Sequence, residues 1–220
     1  MSRLSIILGE TGSGKSAALV DAPHESSFLI NAVGKDLPFR KWSEKWNREN
    51  KNYMVTVEWD KIIQALTYIN EHVPRIKNVF IDDFQYVMSF EYLRNTEGDV
   101  WDVFRGIGSH TFQILNTARS LRNDLNVFIL SHSETIVTEG MQHTKMKTVG
   151  KMVDEKLSPE GLATIVLYAG VQINAEGNND HYFLTQNNGI NTAKTPMGMF
   201  ETARIPNSMK FVIDAIDNYY

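Results

Sequence analysis

The chain has 220 residues, 42% of them hydrophobic and 22% charged, a balance that is typical of a globular protein and predicts one domain over residues 1–220. It contains no cysteine, which excludes disulfides and thiolate metal sites. The formal net charge of −4 argues against nucleic-acid binding through bulk positive charge, but it does not exclude a local basic channel.

The first predicted elements are a buried strand and a phosphate-binding loop. Ile6-Ile7-Leu8 is continuously apolar but too short for the apolar region of a signal peptide. The residues that follow satisfy the pattern G-x-x-x-x-G-K-[ST] and are Gly9, Glu10, Thr11, Gly12, Ser13, Gly14, Lys15 and Ser16. Such glycines let backbone N–H groups surround phosphates, while Lys15 would neutralise the β and γ oxygens and the Ser16 hydroxyl would hold Mg²⁺. Residues 16–20 are compatible with the helix that follows such a loop, so we predict a site for ATP and Mg²⁺.

Further buried strands are predicted along the chain, each followed by a polar residue or glycine. They are residues 28–30, 79–81, 127–130 and 165–168. Continuous hydrophobicity is typical of strands that are covered on both faces. Helical spacing lies between them, as from Ile62 to Val73, and Ser208 is the expected cap of a last helix. The sequence therefore predicts a three-layer α/β fold with a mostly parallel sheet.

Two polar stretches and one turn depart from this alternation. Within residues 34–56, Trp42 and Trp46 are four residues apart, which favours a packed helix face over stacking on bases. Residues 134–160 carry several lysines without a clear period and are long for a connecting loop, which indicates a functional role. Residues 187–189 predict a turn after an added strand at 182–185, and hence a C-terminal hairpin.

Acidic side chains follow the strand at 79–81. Asp82 lies where a phosphate-loop protein places its second Mg²⁺ ligand, at the end of a buried strand. Asp83 is the first candidate to orient the attacking water, and Glu58 is its competitor, although either could be a plain surface acid.

The next strand ends in a polar cluster that contains His132. This side chain could contact the γ-phosphate and report its presence to the lysine-bearing stretch beyond it. The alternative is a histidine satisfied by the local backbone.

Taken together, these segments resemble the RecA-like ATPase core, and they look closest to the compact bacteriophage single-strand-annealing (Sak-type) ATP-binding proteins. The resemblance rests on residues 9–16 and 79–83, with less distinctive matches at 148–152, 161–167 and 191–197. It implies a RecA-like P-loop NTPase core and ATP hydrolysis with Mg²⁺. Because neither a signal peptide nor a membrane-spanning stretch is recognisable, we expect a cytoplasmic location, in the host if the chain is phage-encoded. No apolar stretch approaches the length that spans a bilayer, so no membrane is expected as a partner.

The same resemblance implies partners. In related assemblies, subunits form rings or filaments with ATP at their interfaces, and a basic residue on a late hairpin reaches the neighbour's nucleotide. Lys194 matches that position and is the candidate trans-acting cation, unless it simply faces solvent. Lys145, Lys147 and Lys151 could contact the phosphates of single-stranded DNA, unless they form a solvated face. A single-strand-binding protein is a further expected partner.

Three classes of function compete at this point. The first is a DNA-stimulated ATPase in phage-type recombination, annealing or replication. The second is a small-molecule phosphotransferase, which needs a cationic lid over the phosphates. Arg119 and Arg122 are a close arginine pair, but they lie within a predicted helix and are easily a surface pair. The third is a nucleotide-controlled assembly or partner-binding module. A GTPase is disfavoured because the Asn-Lys-x-Asp guanine motif does not occur.

Overall fold

All of the strands predicted from continuous apolar runs are present in the computed structural model, which describes residues 1–95, 99–150 and 157–220. The strands in this part of the chain are β1 (Arg3–Gly9), β2 (Ser27–Asn31), β3 (Tyr53–Val55), β4 (Asn78–Asp82), β5 (Asn126–Thr138), β6 (Met141–Met146), β7 (Ile165–Ile173), β8 (Asn179–Leu184) and β9 (Arg204–Pro206). The α-helices are α1 (Trp42–Lys45), α2 (Trp59–His72), α3 (Gln85–Arg94), α4 (Val100–Ser120), α5 (Pro159–Leu162) and α6 (Met209–Tyr219). Two 3₁₀ helices span Ala17–Asp21 and His24–Ser26.

One sheet joins most of these strands in the order β3-β2-β4-β5-β1-β7-β8-β9. The strands from β3 to β7 in this order are parallel, whereas β8 and β9 are added in antiparallel orientation. The predicted α/β class and mostly parallel sheet are confirmed, and β7 and β8 form a hairpin near the C-terminal end of the chain.

Helices cover both faces of the sheet. Because successive strand residues point to opposite faces, Ile6 and Leu8 pack in one apolar core and Ile7 in the other. The first core lies under α2 and α4, and the second lies under α6 and the Ala17–Asp21 helix. Ser208 caps α6 as predicted, because its Oγ accepts a hydrogen bond from the backbone N–H of Phe211 at 3.0 Å.

The prediction that Trp42 and Trp46 pack within the protein is confirmed. Trp46 is buried and meets Phe80 of β4 edge-on, with ring centroids 6.1 Å apart. Trp42 packs beside Tyr53 at 5.7 Å. Helix α1 itself is only one turn long, so these contacts rather than helix propensity hold the segment in place.

The element after the phosphate loop is shorter than a full α-helix. A first α-type hydrogen bond joins the Ala18 N–H to the Gly14 carbonyl at 3.0 Å, and the chain then continues as the 3₁₀ helix Ala17–Asp21. Pro23 follows closely, and a proline disfavours the α conformation in the residue before it, here Ala22. The predicted helix is therefore stopped after little more than one turn.

The prediction of an irregular stretch over residues 134–160 is wrong for its first part. β5 continues to Thr138 and pairs antiparallel with β6, in a register that sets Ser133 opposite Met146. Lys145 and Lys147 lie on or just beyond β6, whereas Lys151 lies outside the described residues.

Candidate nucleotide-binding site

The carboxyl ends of three neighbouring parallel strands bring the predicted site residues together. β5 lies between β1 and β4, and its register sets His132 opposite Gly9 and Ile129 opposite Ile81. In open α/β sheets, ligands bind at this edge of the strands. The phosphate loop, Asp83 and His132 therefore meet around one cavity of about 390 Å³, and Asp82 is fully buried in contact with Ser16 of its lining.

The phosphate loop has the backbone conformation that its glycines permit. Gly12 and Gly14 have φ angles of 80° and 99°, a region that other residues rarely adopt. A side chain at Gly14 would also collide with His181, whose Nδ1 lies 2.8 Å from the Cβ position.

Lys15 turns back over the loop and is almost entirely buried. Its Nζ donates hydrogen bonds to the carbonyl oxygens of Gly9 at 2.7 Å and Glu10 at 2.8 Å. Burial lowers the pKa of Lys15 to about 8, although the nearby charges of Asp82 and Asp83 oppose this effect. A phosphate oxygen near Nζ would favour the charged form of this lysine.

Ser16 and Asp82 form the candidate Mg²⁺ site. Ser16 Oγ donates a hydrogen bond to Asp82 Oδ1 at 3.0 Å, and the Asp83 backbone N–H donates to the same oxygen at 3.1 Å. The second carboxylate oxygen, Oδ2, is buried without a hydrogen-bond partner among the described residues. Burial, followed by the charge of Asp83, raises the pKa of Asp82 to about 6.

This arrangement fits a hard cation. Mg²⁺ keeps several waters and typically takes only one or two protein oxygens together with phosphate oxygens. The described residues contain no group of three or more His, Cys, Asp or Glu side chains that could hold a metal by themselves. Ser16 and Asp82 would therefore hold Mg²⁺ only together with a phosphate ligand and water.

Asp83 is held in an unusual conformation beside this pair. Its φ angle of 60° is in the left-handed region, which aspartate tolerates better than most residues. Its carboxylate is buried, with Lys35 Nζ at 2.5 Å from Oδ2 and His132 Nε2 at 3.8 Å from Oδ1. Asp83 therefore faces the cavity in which the phosphates are expected.

His132 is partly buried at the same edge, where it lines the cavity. Burial and then the positive charge of Lys15 lower the pKa of His132, which favours its neutral form. Its backbone N–H donates to Gln85 Oε1 at 3.2 Å, so the first residue of α3 fixes this point of β5.

Three contributors to the site were not predicted from the sequence. Lys35 follows the polar end of β2, and His181 reaches the phosphate loop from β8 with Nδ1 3.1 Å from the Ser13 carbonyl oxygen. Gln85 positions His132. The sequence signal for Lys35 is the polar residue Asn31 at the end of β2, since Asp82 and His132 also lie at the carboxyl ends of strands.

Glu58 and Lys194 lie away from this cavity within the chain. Glu58 precedes α2, forms an ion pair with Arg94 and lines a separate pocket with Trp59 and His110. Lys194 is exposed, and its backbone pairs with Val166 of β7, which lies beside Ile6, three residues before Gly9. The geometry within one chain therefore favours Asp83 over Glu58 as the group near the phosphates, and Lys194 could act only on another copy.

No protein-family model matches the chain, and no curated protein is significantly similar to it in sequence. None of the described helices is long and apolar enough to cross a bilayer. The arguments about function therefore rest on the residues and geometry of the site.

Proposed function

We propose that the chain is a Mg²⁺-dependent ATPase with a RecA-like core that acts on single-stranded DNA in phage-type recombination, annealing or replication. The observation that best supports Mg²⁺-dependent ATPase activity is the contact of Ser16 with Asp82. These residues are 66 positions apart in sequence, and both are buried at the edge of the sheet next to Lys15. A serine hydroxyl and a carboxylate with a free buried oxygen are the two protein groups that hold Mg²⁺ in phosphate-loop enzymes.

Hydrolysis is favoured over phosphoryl transfer to a small molecule by the position of Arg122; Arg119 lies in the last turn of α4. Arg122 Nη1 donates to the carbonyl oxygens of Ile69 at 2.8 Å and Asn70 at 3.0 Å, and Nε pairs with Asp124 at 3.0 Å. These contacts hold it next to the start of β5, at the end of the sheet opposite to the phosphate loop. It therefore ties the α2–β4 connection in place and does not form a lid over phosphates.

The DNA proposal is supported by the β5–β6 hairpin. One continuous strand carries His132 at the cavity and then extends into this hairpin, which exposes Val137 and Met141 near its tip. Lys147 is exposed next to the hairpin, and its backbone N–H donates to the His132 carbonyl oxygen at 2.8 Å. A partner that binds there would be linked directly to the phosphate cavity, which also suits the alternative of a nucleotide-controlled partner-binding module.

ATP hydrolysis measured with and without single-stranded DNA, at two salt concentrations, tests this proposal. We expect strong stimulation that weakens as salt rises, because phosphate contacts release counterions. Lys147→Ala should reduce the stimulation, whereas Lys61→Ala, which changes an exposed lysine on α2, should not.

Two results would contradict parts of the proposal. Turnover that requires a small-molecule acceptor would replace hydrolysis by phosphotransfer. Normal ATP affinity without stimulation by DNA would favour the partner-binding module.

The homo-oligomer, with Lys194 acting on a neighbouring copy, is tested by mixing Lys194→Ala with Lys15→Ala protein. Partial recovery of activity in the mixture supports action in trans, and no recovery opposes it.

A further inference from the structure

The loop after β2 places a second lysine in the phosphate cavity. Lys35 Nζ lies 2.5 Å from Asp83 Oδ2, and the lysine side chain is 48% exposed whereas the carboxylate is 2% exposed. Burial alone would lower the pKa of Lys35, but the ion pair with Asp83 and the charge of Asp82 outweigh this effect and raise the pKa. A charged ammonium group therefore lines the same cavity as the phosphate loop.

The backbone that carries Lys35 is built for this position. Asn31, the last residue of β2, is fully buried, and its Nδ2 donates to the Lys35 carbonyl oxygen at 2.7 Å. The Asn31 Oδ1 accepts from the Gly34 N–H at 2.9 Å, and the Tyr53 hydroxyl lies 3.2 Å from Nδ2. A buried amide with three such contacts fixes the start of the Lys35 side chain, while its other end is half-exposed and in contact with Asp83.

The contact between Lys35 and Asp83 also conflicts with hydrolysis as the structure stands. The Asp83 carboxylate is 2% exposed and its Oδ2 is in contact with the Lys35 ammonium group, so this oxygen is not open to an attacking water. The triphosphate that would enter the cavity brings several negatively charged oxygens close to Lys35, which lines the same cavity as Lys15 and Ser16. These oxygens would compete with Asp83 for the ammonium group.

We propose that Lys35 exchanges partners, from Asp83 in the protein without a γ-phosphate to the γ-phosphate of bound ATP, and thereby releases Asp83 to act on the attacking water. This inference rests on the proposed ATPase function. In the step itself, the water oxygen forms a bond to the γ-phosphorus, and the bond from that phosphorus to the β–γ bridging oxygen breaks with its electron pair remaining on ADP. The water proton passes to the Asp83 carboxylate and then to solvent, and Lys35 balances negative charge on the γ-phosphoryl oxygens. A Mg²⁺ ion, which Ser16 and Asp82 would hold together with a phosphate, would supply further positive charge.

The test compares Lys35→Met, Lys35→Arg and the matched control Lys41→Met, which changes an exposed lysine six residues further along the same connection. Single-turnover hydrolysis and the Kd values for ADP and for a non-hydrolysable ATP analogue are measured for each. For Lys35→Met we expect hydrolysis to fall by about 10²-fold, as for loss of one preorganised charge-stabilising group. Its ADP affinity should stay within about threefold of wild type while the preference for the triphosphate analogue is lost. Lys35→Arg should restore part of this preference, and Lys41→Met should behave as wild type.

A second background separates the exchange from a purely structural role. In Asp83→Asn protein, Lys35→Met should still weaken binding of the triphosphate analogue, because that contact does not depend on Asp83. If Lys35→Met no longer weakens binding of the analogue in this background, Lys35 only holds Asp83. If Lys35→Met weakens the binding of ADP and of the analogue equally, Lys35 only supports the fold. Either result overturns the exchange, as does hydrolysis by Lys35→Met at the wild-type rate. A wild-type protein that neither binds nor hydrolyses ATP overturns the proposed function itself.

Discussion

Replacement of the buried carboxylate Asp82 by asparagine should stabilise the protein without nucleotide while removing its activity. Asparagine is the neutral isostere of the protonated carboxyl group, and its Oδ1 can still accept the hydrogen bond from Ser16. The gain of the variant over wild type is therefore the free energy needed to keep Asp82 ionised in a buried position.

The size of this gain follows from the pKa of Asp82, which rises from an ordinary value of 3.8 to about 6. A difference of about two units corresponds to about 3 kcal/mol, which is an upper bound, so we expect Asp82→Asn to be about 1–3 kcal/mol more stable at pH 8. For a domain of this size that raises Tm by about 2–12 °C.

The pH dependence gives the sign of the effect. Because the folded-state pKa lies above the unfolded-state value, the protonated carboxyl contributes its full stability below about pH 4, and this contribution is lost as the pH rises through about 6. The difference in Tm between Asp82→Asn and wild type should therefore be small at pH 4, increase between pH 4 and 6, and stay constant above pH 6.

Thermal unfolding from pH 4 to 8, with and without Mg²⁺ and ATP, measures these differences. Mg²⁺ with ATP should stabilise wild type more than Asp82→Asn, which keeps the phosphate loop but lacks the carboxylate for the metal. Asp36→Asn is the control, because Asp36 lines the same cavity but is exposed, and it should leave Tm unchanged. An Asp82→Asn protein that is less stable than wild type at pH 8, or a gap that does not vary with pH, would refute the argument.

Three further predictions follow from the phosphate loop and the second core. Lys15→Ala should abolish nucleotide-dependent hydrolysis with an unchanged circular dichroism spectrum, and unaltered hydrolysis would overturn the site assignment. Gly14→Ala should lose nucleotide binding, because the new Cβ would lie 2.8 Å from a histidine nitrogen. Gly12→Ala should keep binding, because its Cβ meets no atom within 4 Å and the variant has only a backbone strain of about 1–2 kcal/mol. Equal nucleotide affinity of the two variants in a binding titration would contradict this. Trp46→Ala should lower the free energy of unfolding by about 3–5 kcal/mol in denaturant titrations, and Trp42→Ala by clearly less, because only Trp46 is fully buried.

The part of the site that could be predicted from the sequence is the part that a local pattern encodes. Residues 9–16 form a contiguous motif, and Asp82 follows an apolar run whose burial on both faces leaves little choice of structure. The contact of Ser16 with Asp82 follows once β1, which leads into the phosphate loop, and β4, which ends at Asp82, lie in one parallel sheet.

The part that could not be predicted depends on contacts between distant segments. The β5–β6 hairpin gives no clear signal, because most of its residues beyond Ser131 are at least partly exposed and no regular apolar alternation marks a buried face. The role of Lys35 depends on the left-handed conformation of Asp83 and on the Asn31 amide, neither of which is visible in a local pattern. The ion pair that engages Glu58 away from the cavity also depends on a distant residue, Arg94, 36 positions along the chain.

The charges around the cavity have a consequence for assembly. Two ammonium groups, Lys15 and Lys35, face two carboxylates, Asp82 and Asp83, so the formal charges of these four side chains cancel while no ligand is bound. A magnesium–triphosphate complex is a net anion, and its arrival leaves this partly buried region electrically unbalanced. Loading the site therefore creates an attraction for a cation from outside the chain, so the association of copies proposed above would follow nucleotide binding rather than precede it.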